Sequence, residues 1–256
     1  MIDNRADVHP SAKLHSSVSV GPWSVIGPNV EIGANTTIGP HVVIDGHTKI
    51  GTNNKIFQFA SLGDAPQDLS YADEETQLII GDNNVIREFV MINRASTKED
   101  RITSIGNSNY LMAYVHIGHD CKIGNNVVMV NYAALSGHVY VEDFVNIGPY
   151  VGIHQYCQIG AYSFIGRASY VTKDVLPYVM IAGQNVSACG LNTVGLKRNG
   201  FNADEIESLR RAYKIIFRRG LTVQQAIVEL IEMAPECERI IPFIDGLKSS
   251  TRGVVR

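Results

Sequence analysis

The sequence predicts a left-handed parallel β-helix over residues 1–190, followed by a C-terminal α-helical domain over residues 191–256. Three observations carry this expectation. An aliphatic residue recurs every six positions, a small residue follows most of these four places later, and both patterns stop after about Val171. A missed repeat mis-assigns a whole architecture, so the period is the first thing to establish.

The aliphatic series begins at Val8, Leu14, Val20, Ile26, Ile32, Ile38, Ile44, Ile50, Ile56 and Leu62, and resumes at Ile80, Ile86 and Ile92. It then runs unbroken from Ile105 through Leu111, Ile117, Ile123, Met129, Leu135, Val141, Ile147, Ile153, Ile159 and Ile165 to Val171. All 25 positions are Ile, Leu, Val or Met, and 21 of the 25 plus-four positions are Ala, Ser, Thr, Cys or Val; Asn54, Pro66, Asn84 and Asn109 are the exceptions. A period of six excludes a 3.6-residue helix and disfavours a flat two-residue alternation. It fits hexapeptides that each form a short strand and a corner, three of them closing a coil of 18 residues. Residues 18 apart then stack at about 4.7–4.8 Å. Glycine often follows the aliphatic residue directly, as at Gly21, Gly33, Gly118 and Gly166, where it is expected to give the corners conformational freedom. Cys121 and Cys157 fall on plus-four positions and read as wall packing.

Insertions near 64–79 and 98–104 break the register. A solenoid admits extra residues as loops leaving a corner, and such loops often carry function, the alternative being a tolerated surface excursion. Function is favoured because a line of histidines begins just beyond the second insertion. After Val171 the pattern turns helical. Asn202 to Glu205 and Thr222 to Gln225 are capping boxes ahead of apolar residues at helical spacing, and Pro235 and Pro242 bracket a weaker third stretch.

Composition excludes several classes. An apolar content of 45%, a charged content of 18% and a net charge of -3 suit a soluble protein and argue against a general nucleic-acid binder. No apolar run approaches the roughly 18 residues of a membrane span, and the N-terminus lacks a signal-peptide layout. The four cysteines have no metal-ligand spacing, so a reducing cytoplasm and no cofactor are expected.

His119, His138 and His154 belong to the hexapeptides headed by Ile117, Leu135 and Ile153, which are 18 apart and share one face. None occupies an inward position, so they should cluster outside one edge, with His116 at the corner before the face and Asp120 beside His119. Three readings stay open: a metal site, exposed polar residues without a role, and general-base catalysis with Asp120 fixing a tautomer. The stagger of the histidines within their hexapeptides disfavours metal, and the general base is the favoured reading.

At His116-Ile117-Gly118-His119-Asp120-Cys121, Leu135-Ser136-Gly137-His138 and Ile153-His154-Gln155-Tyr156-Cys157, the chain resembles the UDP-N-acetylglucosamine O-acyltransferase family of lipid A biosynthesis. The similarity extends through Gly46 to Gly51, Phe57 to Ser61, Gln67-Asp68-Leu69, Gly195 to Arg198, Ala212 to Lys214 and the closing Ser250 to Arg256. The resemblance implies a homotrimer with active sites between neighbouring prisms, taking an acyl group from acyl carrier protein to a UDP-amino sugar. It implies His119 as base, Asp120 as its orienter and the Gly137 N–H as oxyanion donor. Asp68, His116, His138, His154, Gln155, Asn192 and Arg198 match substrate-lining positions. Seven basic residues between Lys197 and Arg219 suit an acidic carrier protein or a diphosphate, and a solvated helical face is the alternative.

The chain departs from the family pattern at Ser70, Asn93, Val194 and Asn199, which puts the acceptor in doubt, and at Arg167, where long-chain members carry glycine. Arg167 lies at the same hexapeptide place as His119, about 2.7 coils or roughly 13 Å further along the axis. It is expected to select acyl chains of about 10–12 carbons. A nucleotide-sugar N-acyltransferase with a CoA or carrier-protein donor, and an inactive β-helix scaffold, are the other readings.

Overall fold

The structure, a computed structural model, describes all 256 residues. Three parallel sheets of nine, eight and ten strands form the faces of a left-handed β-helix. The first face runs from Asp7–Val8 to Tyr170–Val171, the second from Lys13–Leu14 to Gln158–Ile159, and the third begins at Ser19–Val20. The third ends in Val179–Ala182, against which Ser187–Leu191 pairs antiparallel. Most strands are two residues long, and the aliphatic series stacks in register, as in Ile117 on Leu135 on Ile153. These side chains are at most 1% exposed, and Cys121 and Cys157 are buried beside them. Burial pushes the two thiols up to about 12 and about 11, so they are inert packing groups.

The corners turn by a different device from the one expected. Of the thirteen glycines that follow an aliphatic residue, only Gly63, at the mouth of the first insertion, has a positive φ; instead, many residues three places after the aliphatic one do, including Trp23 at 56°, Asp120 at 60°, His138 at 62° and Tyr156 at 64°. The left-handed conformation costs a non-glycine residue roughly 1–2 kcal/mol. Ring stacking offsets it at about 0.5–1.5 kcal/mol per pair. One corner carries Trp23, His41, Phe59, Phe89, Tyr114, Tyr132 and Tyr150 as a continuous stack with centroids 4.7–5.3 Å apart. The glycines answer to crowding: a Cβ on Gly21 would sit 2.7 Å from the Gly39 carbonyl carbon of the next coil. They let successive coils pass at β-sheet spacing.

The asparagine exceptions form a ladder. The Oδ1 atoms of Asn54, Asn84 and Asn109 accept from the backbone N–H of Asn84, Asn109 and Val127, while their Nδ2 groups donate to the carbonyls of Gly81, Gly106 and Gly124. A buried amide paired at both ends avoids the cost of an orphaned polar group.

Both insertions leave the corner between the first and second faces, since each connects a first-face strand to a second-face strand. Their ends are more ordered than expected. Gln77–Ile80 is a strand paired with His47–Ile50 and Ile102–Ile105, so the first loop closes near residue 76 and the second near 101.

Helices α1 (Thr193–Arg198), α2 (Ala203–Arg218), α3 (Val223–Met233) and α4 (Ile241–Ser249) follow, and both expected capping boxes are present. Phe201 and Phe243 pack edge-on against Tyr178, and the tail returns to the last coils through Ser250 Oγ, which donates to Asp174 at 2.6 Å. No helix is long and apolar enough to cross a membrane.

Candidate active site

Positions 18 apart form columns at the corner where the insertions emerge. Gly118, Ser136 and His154 make one; His119, Gly137 and Gln155 the next; Asp120, His138 and Tyr156 the third. His119 therefore lies directly over Gly137. A Cβ at 137 would come within 2.6 Å of its Cε1 and 2.8 Å of its Nε2, so only glycine leaves room for the imidazole. The N–H of Gly137 has no acceptor within the chain.

Asp120 is buried, and its Oδ2 lies 2.7 Å from His119 Nδ1. The carboxylate also accepts from the Ser96 N–H at 3.0 Å, and its own N–H donates to Thr103 Oγ1 at 2.8 Å. Burial alone would raise the Asp120 carboxyl. The hydrogen bonds from His119 and Ser96, with the charge of His138, outweigh it and hold the group below its ordinary value. An ionised carboxylate only accepts, so His119 carries its proton on Nδ1 and presents a lone pair on Nε2. That arrangement can take a proton from a hydroxyl at the corner.

His138 lies edge-on to His119, with centroids 5.2 Å apart, and stacks on Tyr156 at 4.4 Å. Its Nδ1 meets Glu99 Oε1 at 2.9 Å. His119, Asp120 and His138 hold ligand-type atoms within 4.8 Å of one another. The 2.7 Å between Nδ1 of His119 and Oδ2 of Asp120 suits proton sharing. Two ligands of one tetrahedral zinc, each at about 2.0–2.1 Å, would stand about 3.3 Å apart. That pair, as placed, is a hydrogen bond and not two ligands of one such ion.

His116 sits in the strand His116–Ile117 on the first face itself, a correction to the corner expected for it. Burial, then its neighbour His119, depresses its pKa. Asp68, in the first insertion, meets Lys98 Nζ from the second at 2.6 Å, and Ser70 donates to its other oxygen through both N–H and Oγ. Lys98, followed by Ser70, holds Asp68 well below the usual carboxylate range. His154 Nδ1 lies 3.3 Å from Arg252 of the tail, and Gln155 is exposed beside it.

The remaining residues lie elsewhere on the prism. Arg167 follows a third-face strand and emerges at the corner between the third and first faces, so the axial reach drawn from His119 does not exist within one chain. Asn192 caps α1: its Oδ1 accepts from the Gly195 N–H and one N–H of its Nδ2 donates to the Tyr162 carbonyl. Arg198 is exposed and shares a pocket with Asn192, Phe164 and Met180 on the third face.

Reasoning from the sequence missed Ser96, Thr103, Glu99, Lys98 and Arg252. It also passed over Tyr156, whose place 18 residues after His138 was the available signal.

Residues 174–255 match the family profile described as Udp N-acetylglucosamine O-acyltransferase, Domain 2, and residues 11–46 and 102–137 match bacterial transferase hexapeptide repeats. The acyl-[acyl-carrier-protein]–UDP-N-acetylglucosamine O-acyltransferase of Pseudomonas paraeruginosa is 49% identical over 256 residues, covering 100% of this chain and 99% of that protein. The crystal structure of the Francisella novicida UDP-N-acetylglucosamine acyltransferase superposes with a TM-score of 0.98 at 46% identity, covering 100% of this chain and 94% of that one. LpxA from Acinetobacter baumannii gives 0.98 at 46% identity, covering 100% and 99%. Near-half identity along the full length of these proteins shows common descent as well as a common fold: the chain belongs to the UDP-N-acetylglucosamine O-acyltransferase family.

Proposed function

We propose that the chain moves a 3-hydroxyacyl group from acyl carrier protein to the 3-hydroxyl of UDP-N-acetylglucosamine in lipid A biosynthesis, with His119 as general base. One observation carries this reading: His119 is held through Nδ1 by a buried carboxylate while its Nε2 stands open over Gly137. Nε2 takes the hydroxyl proton as the sugar oxygen attacks the thioester carbonyl. Asp120 stabilises the imidazolium that forms, as a buried carboxylate does beside a catalytic histidine. The unpartnered Gly137 N–H is suited to receive the oxyanion, where a preorganised donor contributes most. The intermediate collapses by expelling the carrier thiolate, which the imidazolium protonates. Asp68, His116, His138, His154 and Gln155 line the substrate cleft around this corner.

Asn192, Arg198 and Arg167 sit away from that corner, so a complete site requires a neighbouring copy. A homotrimer that sets the third face of one chain against the catalytic corner of the next meets this requirement. Asn192 then orders the end of α1, Arg198 supplies a cation to the nucleotide, and Arg167 limits the acyl groove. The reaction runs in the cytoplasm, where the four free thiols stay reduced. The test is transfer from a panel of 3-hydroxyacyl carrier proteins to UDP-N-acetylglucosamine and to its 3-amino analogue. Product with the first acceptor supports the reading; product with the second alone overturns the acceptor assignment. Mixing His119→Ala and Arg198→Ala subunits tests the shared site: activity should return in mixed trimers and stays absent if each chain is self-contained.

A further inference from the structure

We propose that Glu99, carried in by the second insertion, is a positioning residue that fixes the tautomer and ring orientation of His138 for the reaction. The inference rests on the reading that His138 lines the substrate cleft.

The His138 side chain is 2% exposed, and charged or polar groups surround it. Nδ1 lies 2.9 Å from Glu99 Oε1, and Nε2 lies 3.7 Å from Asp120 Oδ2, the oxygen that holds His119. Tyr156 lies parallel below the ring at an interplanar angle of 14°, and His119 meets it at 90°. Stacking fixes the plane of an imidazole but not which nitrogen points where, because a half-turn of the ring preserves the stack. The hydrogen-bond partner of one nitrogen decides that. A carboxylate only accepts, so Glu99 places the proton on Nδ1 and turns Nε2 towards the Asp120–His119 pair.

Glu99 reaches this place because its neighbours are pinned. Lys98 Nζ meets Asp68 Oδ2 at 2.6 Å, and Asp100 Oδ2 meets Lys122 Nζ at 2.5 Å. Three consecutive residues thus grip the first insertion, the buried histidine and the next coil. The second insertion straps the catalytic corner, and Glu99 is its inward contact. Without that carboxylate, His138 is free to exchange tautomers and to present N–H where the reaction meets a lone pair, or the reverse.

The test combines 15N NMR of histidine-labelled protein with kinetics. Wild type should show His138 protonated on Nδ1. Glu99→Gln keeps the reach but can donate through its amide as well as accept, so the Nδ1-protonated share should fall below that of wild type. Glu99→Ala should lose it, with kcat/KM lower by about tenfold through misplacement of the ring and the trimer intact. Glu99→Met fills the same space and serves where alanine loosens the strap. Asp100→Asn, on the same strap but facing Lys122, should leave the His138 signature unchanged. An alanine variant that keeps the Nδ1-protonated signature overturns the proposal. So does one that loses it with unchanged kcat/KM, which would reduce Glu99 to a loop anchor. A wild type that does not acylate UDP-N-acetylglucosamine would refute the acceptor reading, while the NMR result would still decide whether Glu99 sets the tautomer.

Discussion

Gly137→Ala isolates the stacking of the base on its neighbouring coil. The added Cβ would lie 2.6 Å from His119 Cε1, 2.8 Å from Nε2 and 3.0 Å from Nδ1, where ordinary contacts begin at 3.4 Å. The ring must therefore retreat by roughly 0.8 Å, and a displacement of about 1 Å at a reacting group costs up to 10²-fold. Gly137 does not have a positive φ, so alanine introduces no backbone strain and the coil should fold normally. The expected outcome is a loss of about 100-fold in kcat, about 2.7 kcal/mol of transition-state stabilisation, with unchanged circular dichroism and oligomeric state. The assay follows acyl transfer from 3-hydroxyacyl carrier protein to UDP-N-acetylglucosamine at saturating substrates. Ser136→Ala, one residue earlier and exposed, controls for general disturbance of the corner. An alanine variant with wild-type kcat would refute the claim that the seat of the imidazole matters.

Asp120→Asn should remove about two orders of magnitude in kcat by leaving His119 without a carboxylate to set its tautomer. The Asp120 carboxyl lies below its ordinary 3.8 in the folded chain, so its contribution to stability is complete above that value and is lost as the pH falls through the lowered one. The stability gap between wild type and Asp120→Asn, open at pH 7 in urea titrations, should accordingly close below pH 3.8 and not on the alkaline side. Ser70→Lys returns a cation to the first insertion, and should lower the KM for UDP-N-acetylglucosamine with little change in kcat. No improvement there would assign the cationic contact to Lys98, which already bridges the two loops. Arg167→Gly, which opens the acyl groove of the proposed trimer, should shift the preferred acyl group towards chains longer than the wild type takes. A wild type that already favours about 14 carbons, with no shift in the variant, would refute the role of Arg167.

The architecture was readable because a solenoid writes its cross-section into the sequence. Each aliphatic residue from Val8 to Val171 marks one wall, and a separation of 18 marks one stack. The same arithmetic places Gly137 under His119 and Tyr156 under His138. Asp120 was readable by adjacency. What escaped is what the period does not govern. Glu99 reaches His138 from 39 residues away, through an insertion that obeys no register, and Ser96, the plus-four residue of the Ile92 hexapeptide, reaches Asp120 just ahead of that insertion. The glycines mislead, because sequence shows that a side chain is missing, not whether torsion, as at Gly63, or crowding, as at Gly21, forbids it. Arg167 shows the limit of the period itself: equal places in two hexapeptides are equal only modulo the three corners. Residues 119 and 167 differ by 48, which is not a multiple of 18.

If His119 Nε2 is the base for acyl transfer, His119→Ala removes the proton acceptor and nothing else from the corner. Single-turnover transfer from 3-hydroxyacyl carrier protein to UDP-N-acetylglucosamine would be compared between wild type and variant, each dialysed against a strong chelator. Full activity is expected in the dialysed wild type, and a loss of at least about two orders of magnitude in the variant, with its trimer intact. Near-wild-type transfer by His119→Ala would contradict it, as would a wild type that loses activity on dialysis and regains it with stoichiometric metal.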